Sequence, residues 1–360
     1  MQRFAHAKLV TLGLKDMLFI TWNTIRVTEV SLDIALASDD GQYLRTLLRI
    51  LLLALQVHIV PSRPESEANG LRFPNPTEKI IQTVIDILTH LVASGVRSLA
   101  GSIHEAPNSS QPADLALLTS LLQACVRIPG IELHHATICS RLAEANTARV
   151  AATLFSWSDQ LLINSEPVYG DISIRYLVEL SGIPLMAGEI AADGVLSQLS
   201  NARLMRYIRA GLEPLNPQHH MLYDIWSRGI LPLCLNLLTA VGPGIASDVA
   251  AFLSTFNQHL LAASSFFAAN SLALITVILD KFRAAGPTMG SKQAETLQWD
   301  KTQVRVDLTE WIENRSGLRA AVTSTSEAQL RLADEKGKGD GSRLEDMVVH
   351  ELLDCLVLLE

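Results

Sequence analysis

From Ser181 to Phe256 the chain leaves almost no room for anything but helices. The stretch SGIPLMAGEIAADGVLSQLSNARLMRYIR is followed, after a proline-containing break, by YDIWSRGILPLCLNLLTAVGPGIASDVAAFLSTF. Gly182 and Pro184 read as a helix stop and a helix start: glycine tolerates a left-handed turn, and proline fits the first helical turn, where its missing N–H has no partner to lose. Pro232, inside the apolar run Ile230 to Leu238, forces a kink or a restart. Gly242-Pro243-Gly244 closes that helix. Val249, Phe252, Leu253, Phe256 and Leu260 then recur at i, i+3, i+4, i+7 and i+11 and form one apolar stripe. These are packing residues, and by themselves they specify a fold class rather than a reaction.

The rest of the chain repeats the pattern. Phe4 to Leu36 predicts one or two helices, ended by Ser38-Asp39-Asp40-Gly41, and Tyr43 to Val60 an apolar one. A proline-rich loop gives way at Asn75-Pro76-Thr77-Glu78, a capping-box start, to a helix with Ile81, Val84, Ile85, Leu88 and Val92 on its face. Helices are expected over Leu115 to Ile128, Leu133 to Ala145, Thr147 to Ile163 with Asn146 as cap, and Ile172 to Leu180 after a hand-over at Gly170-Asp171. Beyond the central stretch come Phe266 to Ala285, Ser291 to Asn314, Ala328 to Leu332 behind Ser324 and Glu327, a loop from Lys336 to Gly341, and Leu344 to Leu359. About fourteen helices without a β-rich segment predict an all-α fold, a superhelical stack of degenerate HEAT- or armadillo-like repeats. The alternative is a compact multi-helix domain. Composition favours the stack: 48% of residues are hydrophobic but only 5% aromatic, so many modest faces of Leu, Ala, Ile and Val are buried in turn.

A net charge of −8 argues against duplex nucleic acid, whose binders neutralise phosphates with a basic patch. Cys125, Cys139, Cys234 and Cys355 are far apart in apolar helical runs, which predicts reduced, buried thiols. The longest apolar run, Ile50 to Val60, is about half a membrane span, so no membrane insertion is expected.

The motifs that carry chemistry fail one by one. His350-Glu351-Leu352-Leu353-Asp354 has Asp where a zinc protease needs its second His. His134-His135 and His219-His220 are adjacent pairs, which on a helix point about 100° apart. Gly286 to Lys292 and the glycines 337, 339 and 341 lack the strand-turn-helix setting of a phosphate loop. Arg203, Arg206 and Arg209 share a band near Tyr207 that reads first as a solvated face and second as an anion site. The tryptophans Trp22, Trp157, Trp226, Trp299 and Trp311 are too scattered for a stacking platform. Asn108-Ser109-Ser110 and Asn314-Arg315-Ser316 match the glycosylation triplet by chance. The expectation is therefore no catalytic residue, no cofactor and no metal, with the protein-binding residues left unassigned.

The central stretch also resembles a known family. Ile183-Pro184, Asp193-Gly194-Val195-Leu196, Leu199, Leu204, Tyr207, Trp226-Ser227-Arg228-Gly229-Ile230-Leu231-Pro232 and Gly242-Pro243-Gly244 look like the C-terminal part of the large α-solenoid scaffold nucleoporins of the inner ring. The match is to the nucleoporin one-eighty-eight type, with the sister inner-ring class sharing much of the pattern. The resemblance implies a single elongated segment over 1–360, the C-terminal fragment of a larger protein, and a non-enzymatic scaffold of the nuclear pore complex at the nuclear envelope. Implied partners are other inner-ring nucleoporins and, by likeness to transport receptors, phenylalanine-glycine repeats held between helices. A soluble karyopherin-like receptor or adaptor is one alternative, and an α-helical enzyme with an unrecognised site is another. Neither end reads as a capping repeat: Phe4, Leu9 and Leu12 open the chain, and Leu352, Leu353, Leu356 and Val357 close it. That predicts a continuation before the first helix, and a last helix that folds back or receives a partner.

Overall fold

A computed structural model describes residues 16–28, 39–59, 78–105, 112–210, 220–256, 275–278, 281, 301–321, 327–337 and 341–358. The described residues form helices joined by short turns, with two isolated bridges, Ile163 to Glu166 and Lys336 to Ser342, as the sole extended pairings among them. We number the helices α1 (16–28), α2 (Asp39–Ile59), α3 (Glu78–Glu105), α4 (Pro112–Val126), α5 (His135–Glu144), α6 (Thr147–Trp157), α7 (Val168–Ser181) and α8 (Pro184–Ala192). There follow α9 (Val195–Asn201), α10 (Arg203–Arg209), α11 (Leu231–Val241), α12 (Ala246–Ser254), α13 (Lys301–Glu313), α14 (Arg315–Ala321), α15 (Glu327–Asp334) and α16 (Arg343–Leu358). The contacts divide the chain into two compact units, 1–195 and 196–360.

In the first unit α7 packs on α4, α6 and α8, α2 lies on α4, and the second half of α3 lies on α6. The predicted stripe Ile81, Val84, Ile85, Leu88 and Val92 is buried throughout. Arg45 reaches from α2 to Asp114 in the first turn of α4, Nε to Oδ1 at 2.8 Å and Nη2 to Oδ2 at 3.1 Å, with 12% and 4% of the two side chains exposed. In the second unit Trp226 and Phe252 pack on Phe256 at 4.8 and 5.5 Å. A separate cluster of Val304, Leu308, Leu318, Val349, Leu352 and Cys355 joins α13, α14 and α16.

Several expectations change in detail. Asp39, Asp40 and Gly41 do not break the chain; they are the first turn of α2, where carboxylates face the positive helix end. Gly170 and Asp171 lie inside α7, which starts at Val168. α6 stops at Trp157 rather than Ile163, and the turn after it holds Asn164 and Ser165 at positive φ. Asn146 makes no side-chain cap bond; at φ 53° it is the left-handed residue that ends α5, as asparagine can. Gly182 is right-handed at φ −66°, so the break before α8 comes from Pro184 at its start. Gly242, at φ 73° and ψ −143°, holds a positive-φ conformation open essentially to glycine alone and closes α11 as expected.

Proline is accommodated by a change of helix type. Ile225–Ile230 is a π turn, and the N–H of Leu231 bonds to the carbonyl of Trp226, five residues back. The wider turn precedes Pro232, and Ile230 and Leu231 both keep right-handed helical φ and ψ, so the missing N–H is absorbed inside a continuous helical run. α3 carries a second π turn at Leu88–Ala93. The stretches Glu78–Glu105 and Met221–Ser254 are long and apolar enough to cross a membrane by length and composition, and 67% and 50% of their most apolar windows are buried in the fold. The sequence reading missed both because polar residues interrupt each run.

α16 packs on α13 and α15 and buries Leu352 and Cys355, while Leu353 and Val357 stay exposed. The first fifteen residues, the asparagine cap at 75, Leu260, Ser324, Asn108, the greater part of Phe266 to Ala285 and all of Gly286 to Asp300 lie outside the described residues.

Candidate interaction groove

The second half of α3 and all of α6 face each other across a cleft in the first unit. Their sequences explain both its walls and its emptiness. α3 buries Val96, Leu99 and Ile103 and turns Arg97, Gly101 and Glu105 outward. α6 buries Ala151, Leu154 and Phe155 and leaves Arg149, Thr153 and Trp157 toward the rim. One lobe of the cleft, of about 360 Å³, is lined by Ala100, Gly101, His104, Val150, Leu154 and Trp157 among others. A second lobe, of about 520 Å³, runs along the small residues Ser94, Ser98, Gly101, Ser102 and Ala145. Arg97 and Gly101 line both.

Trp157 is held edge-on by His104, with ring centroids 4.3 Å apart and planes at 78°, a favoured aromatic geometry. Its indole is nonetheless 41% exposed. Arg149 Nη2 lies 3.4 Å from Asp193 Oδ1. Gly101 is the informative residue: a Cβ placed on it would meet nothing within 4 Å, so crowding does not require a glycine there. In mid-helix it costs about 0.5–1 kcal/mol relative to alanine, and it leaves the floor of the groove open. The arrangement suits an apolar side chain from another molecule and contains no nucleophile–base pair. Sequence reasoning set Trp157 aside as one of five scattered tryptophans; its neighbour across the cleft is 53 positions away in the chain, so spacing carried no signal.

The residues weighed from sequence fall elsewhere. Arg209 is not part of a solvated face. Its Nη2 donates to the carbonyl and hydroxyl oxygens of Ser200 at 2.9 and 2.8 Å, and its guanidinium lies 5.3 Å over the Phe256 ring. Burial, with Arg206 nearby, lowers its pKa. His350 is exposed and 4.0 Å from Asp354, and among the described residues no group of three or more His, Cys, Asp or Glu could hold a metal. Gly337 and Gly341 close a turn, N–H to carbonyl at 2.9 Å. The carboxylates of Asp346 and Glu345 stand beside them, a setting that repels phosphate. Asn314 caps α14, accepting the Gly317 N–H at 3.0 Å. The Ser342-to-Glu345 capping pattern went unremarked: Ser342 Oγ accepts the Glu345 N–H at 3.3 Å, while the Glu345 carboxylate takes Arg319 at 2.8 Å. Of the residues that carried the family resemblance, Ile183, Val195, Leu199, Leu204, Trp226 and Ile230 are buried.

Compared with known families, residues 17–271 and 264–359 match the nuclear pore protein NUP188 C-terminal domain. The chain belongs to this Nup188 family. Similar full-length relatives are nucleoporin NUP188 of Chaetomium thermophilum, 28% identical across all of this chain and 22% of that protein, and nucleoporin nup184 of Schizosaccharomyces pombe, 25% identical across 67% of this chain and 14% of that protein. The chain thus spans about a fifth or less of the length of these relatives. A solved Nup188 fragment from Myceliophthora thermophila matches 96% of this chain and 98% of its own, at 27% identity and a TM-score of 0.79. The all-α solenoid class expected from the helical periodicity is the class of that Nup188 structure. As a Nup188-type nucleoporin, the protein is a component of the nuclear pore complex at the nuclear envelope.

Proposed function

We propose that this chain is a structural, non-enzymatic scaffold segment of the pore's inner ring, one length of a longer helical stack, which binds other nucleoporins through the faces and grooves between its helices. The observation that carries the reading is the α3–α6 groove, an aromatic-walled cleft with an open floor on a chain of the Nup188 C-terminal family. Apolar clefts between helices take partner side chains without any catalytic group. Net charge −8 supports protein rather than nucleic acid as partner, and the apolar stretches of α3 and of Met221–Ser254 serve helix packing in this reading rather than membrane insertion. A second reading, affinity for phenylalanine-glycine repeats in the manner of a transport receptor, is favoured by the Trp157 wall alone.

The test is to mix the purified chain with each inner-ring nucleoporin and follow elution by size-exclusion chromatography with light scattering. Co-elution with at least one as a complex of defined mass is expected. Separate elution from every one, with the chain folded, contradicts the scaffold reading.

A further inference from the structure

The chain carries −8 overall, yet between Asp193 and Glu213 its sequence holds no carboxylate and three arginines, Arg203, Arg206 and Arg209, at the start, middle and end of α10. Leu204, Met205 and Ile208 are buried, which turns Arg203, Arg206 and Tyr207 to solvent. Among the described residues no carboxylate pairs with Arg203 or Arg206. The short helix His220–Asp224 packs on α10, and the carboxylate it brings, Asp224, stands 3.4 Å from Arg228, so that neighbour does not neutralise the band. Arg209 is fixed by Ser200 and the Phe256 ring, and Arg206 lies near enough to add to the burial that lowers its pKa. The like charges repel one another, and an anion held among them relieves that repulsion.

We propose that this face of α10 binds a phosphorylated side chain of a partner protein, the phosphate oxygens taken by the guanidiniums of Arg203 and Arg206 with Tyr207 beside them. Residues three apart are separated by about 4.5 Å along a helix axis, so both forks reach one phosphate, whose nearly double charge and three acceptor oxygens exceed what a single carboxylate offers. Charge is screened beyond about 8 Å, so a short segment meets the arginines alone, whereas a membrane or a duplex spreads its negative charge against a chain that is itself −8. The inference rests on the protein-binding reading above and names the chemistry that one further face accepts.

The probe is a fluorescein-labelled glycine-serine peptide carrying one phosphoserine, titrated into the whole chain at low salt and read by anisotropy. Saturable binding is expected, weakened about ten-fold or more when Arg203→Gln and Arg206→Gln are combined. Both side chains are exposed, so the melting curve of this double variant is expected to match that of the unaltered chain. Combining Arg305→Gln with Arg315→Gln removes the same charge from α13 and α14 and is expected to leave binding unchanged. Equal loss in the two double variants would mean bulk charge and overturns the proposal. Absence of binding overturns it too, as does equal binding by the unphosphorylated peptide or by one with glutamate in place of phosphoserine, or tighter binding of phosphatidylserine vesicles through the same two arginines. The scaffold reading is separable: a chain that co-elutes with a nucleoporin but binds no phosphopeptide overturns this site and leaves that reading standing. Phosphopeptide binding without any nucleoporin complex supports the site and removes the reading.

Discussion

All four cysteines are buried and free, and burial pushes each thiol pKa up. Cys355 rises to about 11, with Glu351 and Asp354 adding to the effect of desolvation, and Cys139 rises by burial and then by Glu189. The native thiols are therefore protonated and shielded, and Ellman's reagent is expected to label none in the folded chain and all four in denaturant. The sign of the pH effect follows. In the unfolded chain a thiol ionises near about 8.5; in the fold it holds its proton, so above that pH the unfolded state binds fewer protons and stability falls. Melting temperature is expected to be flat near neutrality and to drop above about pH 9, with Cys355 contributing up to about pH 11. A melting temperature that rises through this window contradicts the buried assignment. The Arg45–Asp114 pair makes a second prediction at this scale. Asp114→Ala takes the two-oxygen carboxylate partner from a mostly buried guanidinium and is expected to cost about 3 kcal/mol in urea unfolding, whereas replacing both partners by leucine or methionine costs much less. The burial of the cysteines was legible from their apolar neighbourhoods. The ion pair was not, because its partners are 69 positions apart.

Helix boundaries and helix faces were legible to different degrees. Pro184 and Gly242 mark breaks because a missing N–H or a positive φ acts locally. The π turn at Leu88–Ala93 was not legible, since no proline or glycine stop marks it, and at Ile225–Ile230 Pro232 announced a disturbance without saying that a widened turn would absorb it. Gly170 and Asp171 misled because a glycine inside a well-packed helix carries the same letters as one that ends it. α16 shows the limit of periodicity: its end is apolar all round, so sequence did not say which leucine is inside. The structure buries Leu352 and exposes Leu353 and Val357. Leu352→Ala is therefore expected to cost about 3 kcal/mol, read by thermal melting, and Leu353→Asp or Val357→Asp to stay within about 0.5 kcal/mol. The reverse order would mean that the helix is rotated about its axis.

For the molecule as a whole, the fold class followed from one physical regularity, the 3.6-residue recurrence of apolar side chains between proline and glycine stops, and the family from where those stops fall. The groove did not follow, because it exists only where α3 and α6 meet, and its key feature is a side chain that Gly101 lacks. The function rests on the same division: family membership makes this a pore component, and the groove supplies a means of holding a partner. Scaffold and shuttling receptor share such grooves but differ in how long they stay. The direct measurement is fluorescence recovery after photobleaching of the tagged protein at the nuclear rim of the cell that makes it. A structural component exchanges slowly, so little recovery is expected over many minutes; full recovery within seconds is the behaviour of a mobile receptor and contradicts the scaffold role.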